Sequence, residues 1–260
     1  MRLHRCAACS LLFEPDRTPE PLKELYADGY YADYPGGGDY LDDDAQRRYD
    51  ARRRLRFIRR HGAREGRLLE IGAASGQFLA EARAAGFEPM GVEPDEGLAR
   101  RVGARTGIEI RGGFIETVEL PEQAFDVVCA WHVLEHLFTP QLALERLAGV
   151  LRPGGRLFLE VPNVASVLAL RQRTRWLHLD AEHHVAHYSP VALRALLEHA
   201  GFEVEAIQTV SGREYVGLRR AVRPLELAAA ARELALVRSG PRSAHPSRHE
   251  LLRAVARVPG

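Results

Sequence analysis

The sequence predicts a doubly wound α/β fold, a mostly parallel sheet of seven strands covered by helices on both faces, and three observations predict it. From Leu68 to Val210, short apolar runs alternate with longer stretches whose apolar residues recur at helical spacing, the order that right-handed crossovers turn into a parallel sheet. Leu68 to Ile71 lead into Gly72-Ala73-Ala74-Ser75-Gly76 and then Phe78, Leu79, Ala82 and Ala85: a strand, a tight turn and a helix closed by Gly86. A second strand, Glu88 to Glu93, ends on an acid roughly 20 residues beyond Glu70, the separation at which nucleotide-binding α/β folds place a carboxylate on a ribose.

Ahead of the sheet, Leu3-His4-Arg5 and Leu11-Leu12-Phe13 read as a hairpin around Cys6-Ala7-Ala8-Cys9. Two thiolates at this spacing fit adjacent corners of a zinc tetrahedron, so Cys6 and Cys9 form a metal half-site; a closed site needs four ligands, and the alternative is a degenerate knuckle without metal. Residues 14 to 45 are rich in Pro, Gly, Asp and Tyr. A short helix is expected from Glu20 to Ala27, and Tyr26, Tyr30, Tyr31 and Tyr34 beside Gly36-Gly37-Gly38 read either as a lid or as residues that pack the arm onto the domain. Asp44 to His61 is helical, with Tyr49, Leu55 and Ile58 inward and Arg52-Arg53-Arg54 and Arg59-Arg60 on a solvated face.

Beyond Glu93 come a helix from Glu96 to Thr106, a strand Ile108 to Ile110, and the loop Gly112-Gly113-Phe114-Ile115. A fourth strand, Phe125 to Ala130, runs into Trp131-His132-Val133-Leu134-Glu135-His136-Leu137. The helix Pro140 to Leu151 stops at Pro153-Gly154-Gly155, and Arg156 to Val161 forms the fifth strand. A helix from Val164 to Arg173 and a histidine-dense loop from Asp180 to Tyr188 then interrupt the alternation. Ser189-Pro190 caps a helix through His199, and Phe202 to Val210 is strand six. Val216 to Val237 is Ala- and Leu-rich and helical, Ser239 to Ser247 is a polar loop, and Glu250 to Val258 reads as a last strand or a terminal helical turn. The chain thus divides into a knuckle remnant and arm (1–45), a ligand-binding domain (46–210) with a substrate-capping loop at 164–188, and a helical extension with the last strand (211–260).

Lys and Arg number 36 against 35 Asp and Glu, a net charge of +1 that provides no field for nucleic acid or an anionic membrane. No apolar run approaches the roughly 18–20 residues of a membrane span, and the N-terminus lacks the apolar core of a signal peptide. Three cysteines agree with a reducing, cytoplasmic setting.

In such a sheet ligands sit at the C-terminal strand edge, where the turn after Ile71, Glu93, Phe114 and the Trp131-His132 segment converge. Gly72 and Gly76 let the backbone take φ > 0 or lie against a ligand, and the helix behind them aims its free N–H groups at the same place. Read alone, the turn fits an ordinary βα connection equally well.

Taken together the motifs resemble those of the class I S-adenosylmethionine-dependent methyltransferases. Leu69 to Gly76 is similar to their first motif, Gly91-Val92-Glu93-Pro94-Asp95 to their ribose-binding second, and Phe125 to Val128, Val133 to Leu137 and Leu151 to Gly155 to the later ones. The resemblance implies a Rossmann-like fold with S-adenosylmethionine as cofactor. It places Glu70, Gly72, Ala73, Ala74 and Gly76 at the methionine half, Glu93 and Pro94 at the ribose, Phe114 and Ile115 over the adenine, and Trp131 and His132 beside the sulfonium. A dinucleotide fingerprint requires G-x-G-x-x-G, and Ala74 stands where its second glycine makes room for a pyrophosphate, which S-adenosylmethionine lacks.

The flanks resemble a narrower group, the zinc-knuckle methyltransferases that include deoxysugar C-methyltransferases, although the first cysteine pair of their knuckle is absent. That likeness implies a catalytic Glu182-His183 pair, with His184 the alternative to His183, acting on a small-molecule or sugar-like acceptor by O- or C-methylation. His136 is read as structural. A reading of a different class is a non-catalytic cofactor-binding or partner subunit that retains the fold.

Overall fold

The computed structural model describes residues 3–20, 24, 26, 41, 45–210 and 249–260. Tyr30, Tyr31 and Tyr34, the glycine run 36–38, and the helix and polar loop expected within 211–248 lie outside them.

Among the described residues ten strands follow in chain order: β1 (His4–Arg5), β2 (Leu12–Phe13), β3 (Gly66–Ile71), β4 (Phe87–Glu93), β5 (Ile110–Gly112), β6 (Phe125–Trp131), β7 (Leu151–Pro162), β8 (Ala186–His187), β9 (Glu203–Val210) and β10 (Leu251–Arg257). The helices are α1 (Ala45–Arg60), α2 (Gln77–Ala84), α3 (Glu96–Thr106), α4 (Pro140–Val150), α5 (Val167–Gln172) and α6 (Pro190–His199). Seven strands make the main sheet in the order β5-β4-β3-β6-β7-β10-β9. Neighbours from β5 to β7 run parallel, and β10 is antiparallel to both β7 and β9.

Each inner strand is apolar on both faces because helices cover both sides. Leu69, Ile71, Val128, Leu157 and Leu159 enter one core, while Leu68, Val127, Cys129 and Phe158 enter the other, the two-residue alternation of a pleated strand. The same double burial settles the last segment: Leu251 to Ala256 are all buried, and they form β10 rather than a helical turn. Strand order reverses between β3 and β6, which opens a crevice at their carboxyl ends.

Two local expectations are corrected. Tyr49 is 54% exposed, since it stands about 200° around α1 from the buried Ala51. Pro153-Gly154-Gly155 does not end a connection; it lies inside β7, where the register against β6 shifts, and Gly154 donates to the Val258 carbonyl at 3.1 Å. The N-terminal hairpin, for its part, pairs through β2 with β8, Leu12 opposite His187 and Phe13 opposite Ala186.

Candidate active site

The turn after β3 is tied to the end of β4. Gly72 and Ala73 donate to the Val92 carbonyl at 2.9 and 3.0 Å, and Ala74, at φ +47°, donates to Glu93 Oε2 at 2.8 Å. Glu93 Oε1 accepts from the Asp95 amide at 3.2 Å, and the Gly113 amide donates to the Glu93 carbonyl at 2.9 Å. Asp95 in turn caps α3, its Oδ1 accepting from Leu98 N at 2.8 Å. Glu93 therefore ties the glycine turn and Asp95 through its carboxylate and the Gly113 loop through its backbone carbonyl; Ile115 is buried, while Pro94 and Phe114 are half-buried. Burial pushes the Glu93 pKa up to about 7, with the Ala74 and Asp95 amides pulling the other way.

Glycine is required at two points of the turn. Gly72 has φ +73° and a Cβ there would stand 2.8 Å from Val133 Cγ2; Gly76 has φ +71° and a Cβ there would run into Val102 Cγ1 on α3. Gly76→Ala is expected to cost about 2–4 kcal/mol, combining left-handed strain with overpacking against a stiff valine, as read by urea unfolding. A loss below about 0.5 kcal/mol would show that α3 yields freely.

At the end of β6, Trp131 is buried edge-on against Phe78, with the Arg54 guanidinium 5.2 Å from its ring centre. Its Nε1 is buried and makes no hydrogen bond, as is Glu70 Oε2. Burial pushes the Glu70 carboxyl well above the usual range. His132, at φ +58°, turns its ring between two buried acids: Nδ1 lies 3.0 Å from Glu135 Oε1 and Nε2 3.3 Å from Glu160 Oε1. Burial by itself lowers the His132 pKa, but hydrogen bonds to Glu135 and Glu160 outweigh it and set it at about 9. The ring is a cation with both nitrogens committed, so it positions the loop rather than offering a free nitrogen at the sulfonium.

Glu160, fully buried, also accepts from Arg54 Nε and Nη2 at 3.2 and 2.8 Å and from Arg253. Arg54 thus leaves the solvated face expected for it and enters the domain interior. The signal was present in the helical spacing, since Arg54 sits between Ala51 and Ile58 on the buried side. Arg52, by contrast, is exposed and pairs with Glu81.

The histidine-rich segment lies against the β6 loop and the end of β7. Val185 donates to the Glu135 carbonyl at 2.8 Å, Tyr188 Oη to the Leu134 carbonyl at 3.1 Å, and Tyr188 bridges Asn163. His183 Nδ1 pairs with Asp180 Oδ1 at 2.8 Å. The expectation that Glu182 orients His183 is corrected: its side chain is exposed, because the turn that folds His183 and His184 amides back onto the Asp180 carbonyl brings residue 180 to the ring instead. His184 is buried, its Nδ1 2.8 Å from the His178 carbonyl. His136 Nδ1 lies 2.7 Å from Tyr26 Oη and 3.2 Å from the His183 carbonyl. Burial, chiefly, lowers the His136, His178 and His187 pKa values to about 4.

Cys6 and Cys9 close a knuckle in which Cys6 N donates to the Leu11 carbonyl and Ser10 N to the Cys6 carbonyl. The Cys9 and Ala8 amides lower the Cys6 thiol, and burial raises that of Cys9. Among the described residues no third ligand joins these two.

The crevice fits the expected cofactor: a left-handed glycine turn, an α2 N-terminus with no side-chain cap, a buried carboxylate at the end of β4, and two buried polar atoms without partners. The model of a family described as a methyltransferase domain matches residues 44–207. The chain belongs to this methyltransferase family. It is 32% identical over 117 residues to a probable S-adenosylmethionine-dependent methyltransferase of Mycolicibacterium smegmatis, a match that covers 45% of this chain and 44% of that protein. It is 30% identical over 184 residues to a ubiquinone biosynthesis O-methyltransferase of Xylella fastidiosa, covering 65% and 73%.

Solved methyltransferase structures share its fold. The 1,6-didemethyltoxoflavin-N1-methyltransferase of Burkholderia thailandensis, bound to S-adenosylhomocysteine, is 18% identical with a TM-score of 0.62, covering 100% of both chains. A possible histamine N-methyltransferase of Thermotoga maritima is 20% identical with a TM-score of 0.56, covering 82% and 90%. This methyltransferase uses S-adenosylmethionine as its methyl donor. Among its described residues, no helix is long and apolar enough to cross a membrane.

Proposed function

We propose that this methyltransferase is a cytoplasmic enzyme that methylates a hydroxyl oxygen of a small phenol- or sugar-like acceptor, seated between the Trp131-His132 loop and the histidine-rich segment. The cofactor supplies an electrophilic methyl group on a sulfonium. Glu93 accepts from the ribose hydroxyls, the Gly72–Gly76 turn and Glu70 receive the methionine half, and Phe114 and Ile115 border the adenine. Holding acceptor and methyl in line while excluding water provides most of the acceleration in a displacement of this kind. The observation that carries the reading is the Asp180–His183 pair, a half-buried imidazole whose Nδ1 lies 2.8 Å from a carboxylate, the arrangement that orients a histidine to take a proton from a hydroxyl. The pairing of β2 with β8 supports the likeness to the zinc-knuckle group, since it joins the cysteine hairpin to the proposed catalytic segment. The O-methyltransferase relatives favour oxygen as the acceptor atom.

The acceptor is to be found by screening phenols and sugar nucleotides with labelled methyl donor, read by product mass. With it in hand, His183→Ala is expected to lower kcat by about 10²–10⁴-fold and Asp180→Asn by a smaller factor, with cofactor affinity unchanged. A His183→Ala enzyme of full kcat would remove His183 from the chemistry; S-adenosylmethionine binding without turnover on any acceptor would favour a non-catalytic subunit.

A further inference from the structure

The Glu135-His136 dipeptide has a feature that the methyl-transfer reading leaves unused. The 3₁₀ turn Leu134–His136 and the histidine-rich segment bring together one donor atom each from Glu135, His136 and His184, all within 4.8 Å of one another. Glu135 is 1% exposed; its Oε1 takes the bond from His132, and its Oε2 is buried with no hydrogen bond at all. A bare carboxylate oxygen in the interior costs several kcal/mol unless something positive meets it. His132 already meets the other oxygen.

The two imidazoles are held in the state a ligand needs. His184 Nδ1 faces the His178 carbonyl at 2.8 Å, and His136 Nδ1 faces the His183 carbonyl at 3.2 Å. A carbonyl oxygen only accepts, so His184 Nδ1 carries the proton and its Nε2 keeps its lone pair, and His136 takes the same tautomer when its Nδ1 donates to the His183 carbonyl. Backbone carbonyls behind the rings are also the usual second shell that orients metal-bound histidines. Tyr26 Oη, 2.7 Å from His136 Nδ1, and the edge-on packing of the His136 and His184 rings, centroids 4.7 Å apart, restrain the pair further. His187 stands at the margin of the cluster, its ring centroid 6.4 Å from that of His184 and its Nε2 buried and unpartnered.

We propose that Glu135, His136 and His184 form a binding site for one divalent transition-metal ion of the zinc or cobalt kind, independent of the cysteine knuckle. Two imidazole nitrogens and one carboxylate oxygen are a donor set such ions favour over magnesium or calcium, and three protein ligands leave a coordination position for a water or a hydroxyl oxygen. The site depends on neither the identity of the acceptor nor the role of His183.

The test uses the full chain, stripped with chelator and titrated with Co²⁺, then loaded with Zn²⁺ for X-ray absorption. The expected result is one equivalent of Co²⁺ with ligand-field bands but no thiolate charge-transfer band, and a zinc shell of two imidazoles plus oxygen. Glu135→Gln and His184→Gln, checked for fold by S-adenosylmethionine binding, are expected to weaken Co²⁺ by at least about 10-fold, whereas Cys6→Ser/Cys9→Ser leaves it unchanged. Absence of bound metal in the wild-type protein, a shell containing sulfur, or affinity unaffected by both substitutions would overturn the proposal. The wild-type spectrum decides the matter even where a variant fails to fold.

Discussion

Glu93→Ala is expected to weaken S-adenosylmethionine by at least about 100-fold in calorimetric titration. Each hydrogen bond to a charged group is worth about 1.5–3 kcal/mol, and a ribose presents two hydroxyls to this carboxylate. The side chain also ties Ala74 and Asp95, so its removal loosens the glycine turn that it serves. A pH dependence comes with it. The Glu93 pKa is about 7 in the folded protein, above its unfolded value, so the folded state holds the proton more tightly. The cofactor-free protein is expected to lose up to about 3 kcal/mol as pH rises from about 4.5 to about 7, and to change little from this group above that range. Ribose hydroxyls donate to the ionised form, which gives cofactor affinity the opposite slope: it rises with pH and levels off above about 7. Glu93→Gln is expected to flatten both profiles. A loss of less than about 10-fold in a folded Glu93→Ala protein would place the ribose elsewhere.

Glu160→Ala is expected to destabilise the protein by about 3–5 kcal/mol, a fall of roughly 10 °C in Tm. Glu160 is the shared acceptor of Arg54 and Arg253 and faces the His132 cation, all in the interior. Burial opposes its ionisation, and the two arginines and His132 more than compensate, holding its pKa well below the usual range. Removing it takes away the carboxylate that Arg54 and Arg253 share and leaves Glu135 as the acid that faces His132. The pair as a whole need not stabilise the fold, because taking charges out of water offsets their attraction. A Glu160→Leu, Arg54→Met, Arg253→Met triple variant is therefore expected to lie closer to wild type than Glu160→Ala does. Thermal unfolding of both proteins checks this; a triple variant that unfolds below Glu160→Ala would show that the cluster contributes net stability.

The sheet and the glycine turn that Glu93 ties down were legible in the residues themselves. Strands buried on both faces appear as apolar runs, helices as three-to-four-residue spacing, and the left-handed turn as Gly72 and Gly76, because these demands are local to a few consecutive residues. Glu93 was legible for the same reason: it ends a strand at a fixed distance from the turn. Which groups meet across the fold was set by its assembly. It carried Arg54 from an arginine run to Glu160, brought Arg253 to the same carboxylate from far along the chain, gave His183 to Asp180 rather than Glu182, and laid His184 on Glu135-His136. The physical reason is that burial and partner choice, not residue type, determine what a charged or imidazole group does. Those are set by strands and loops that meet only when the sheet is assembled.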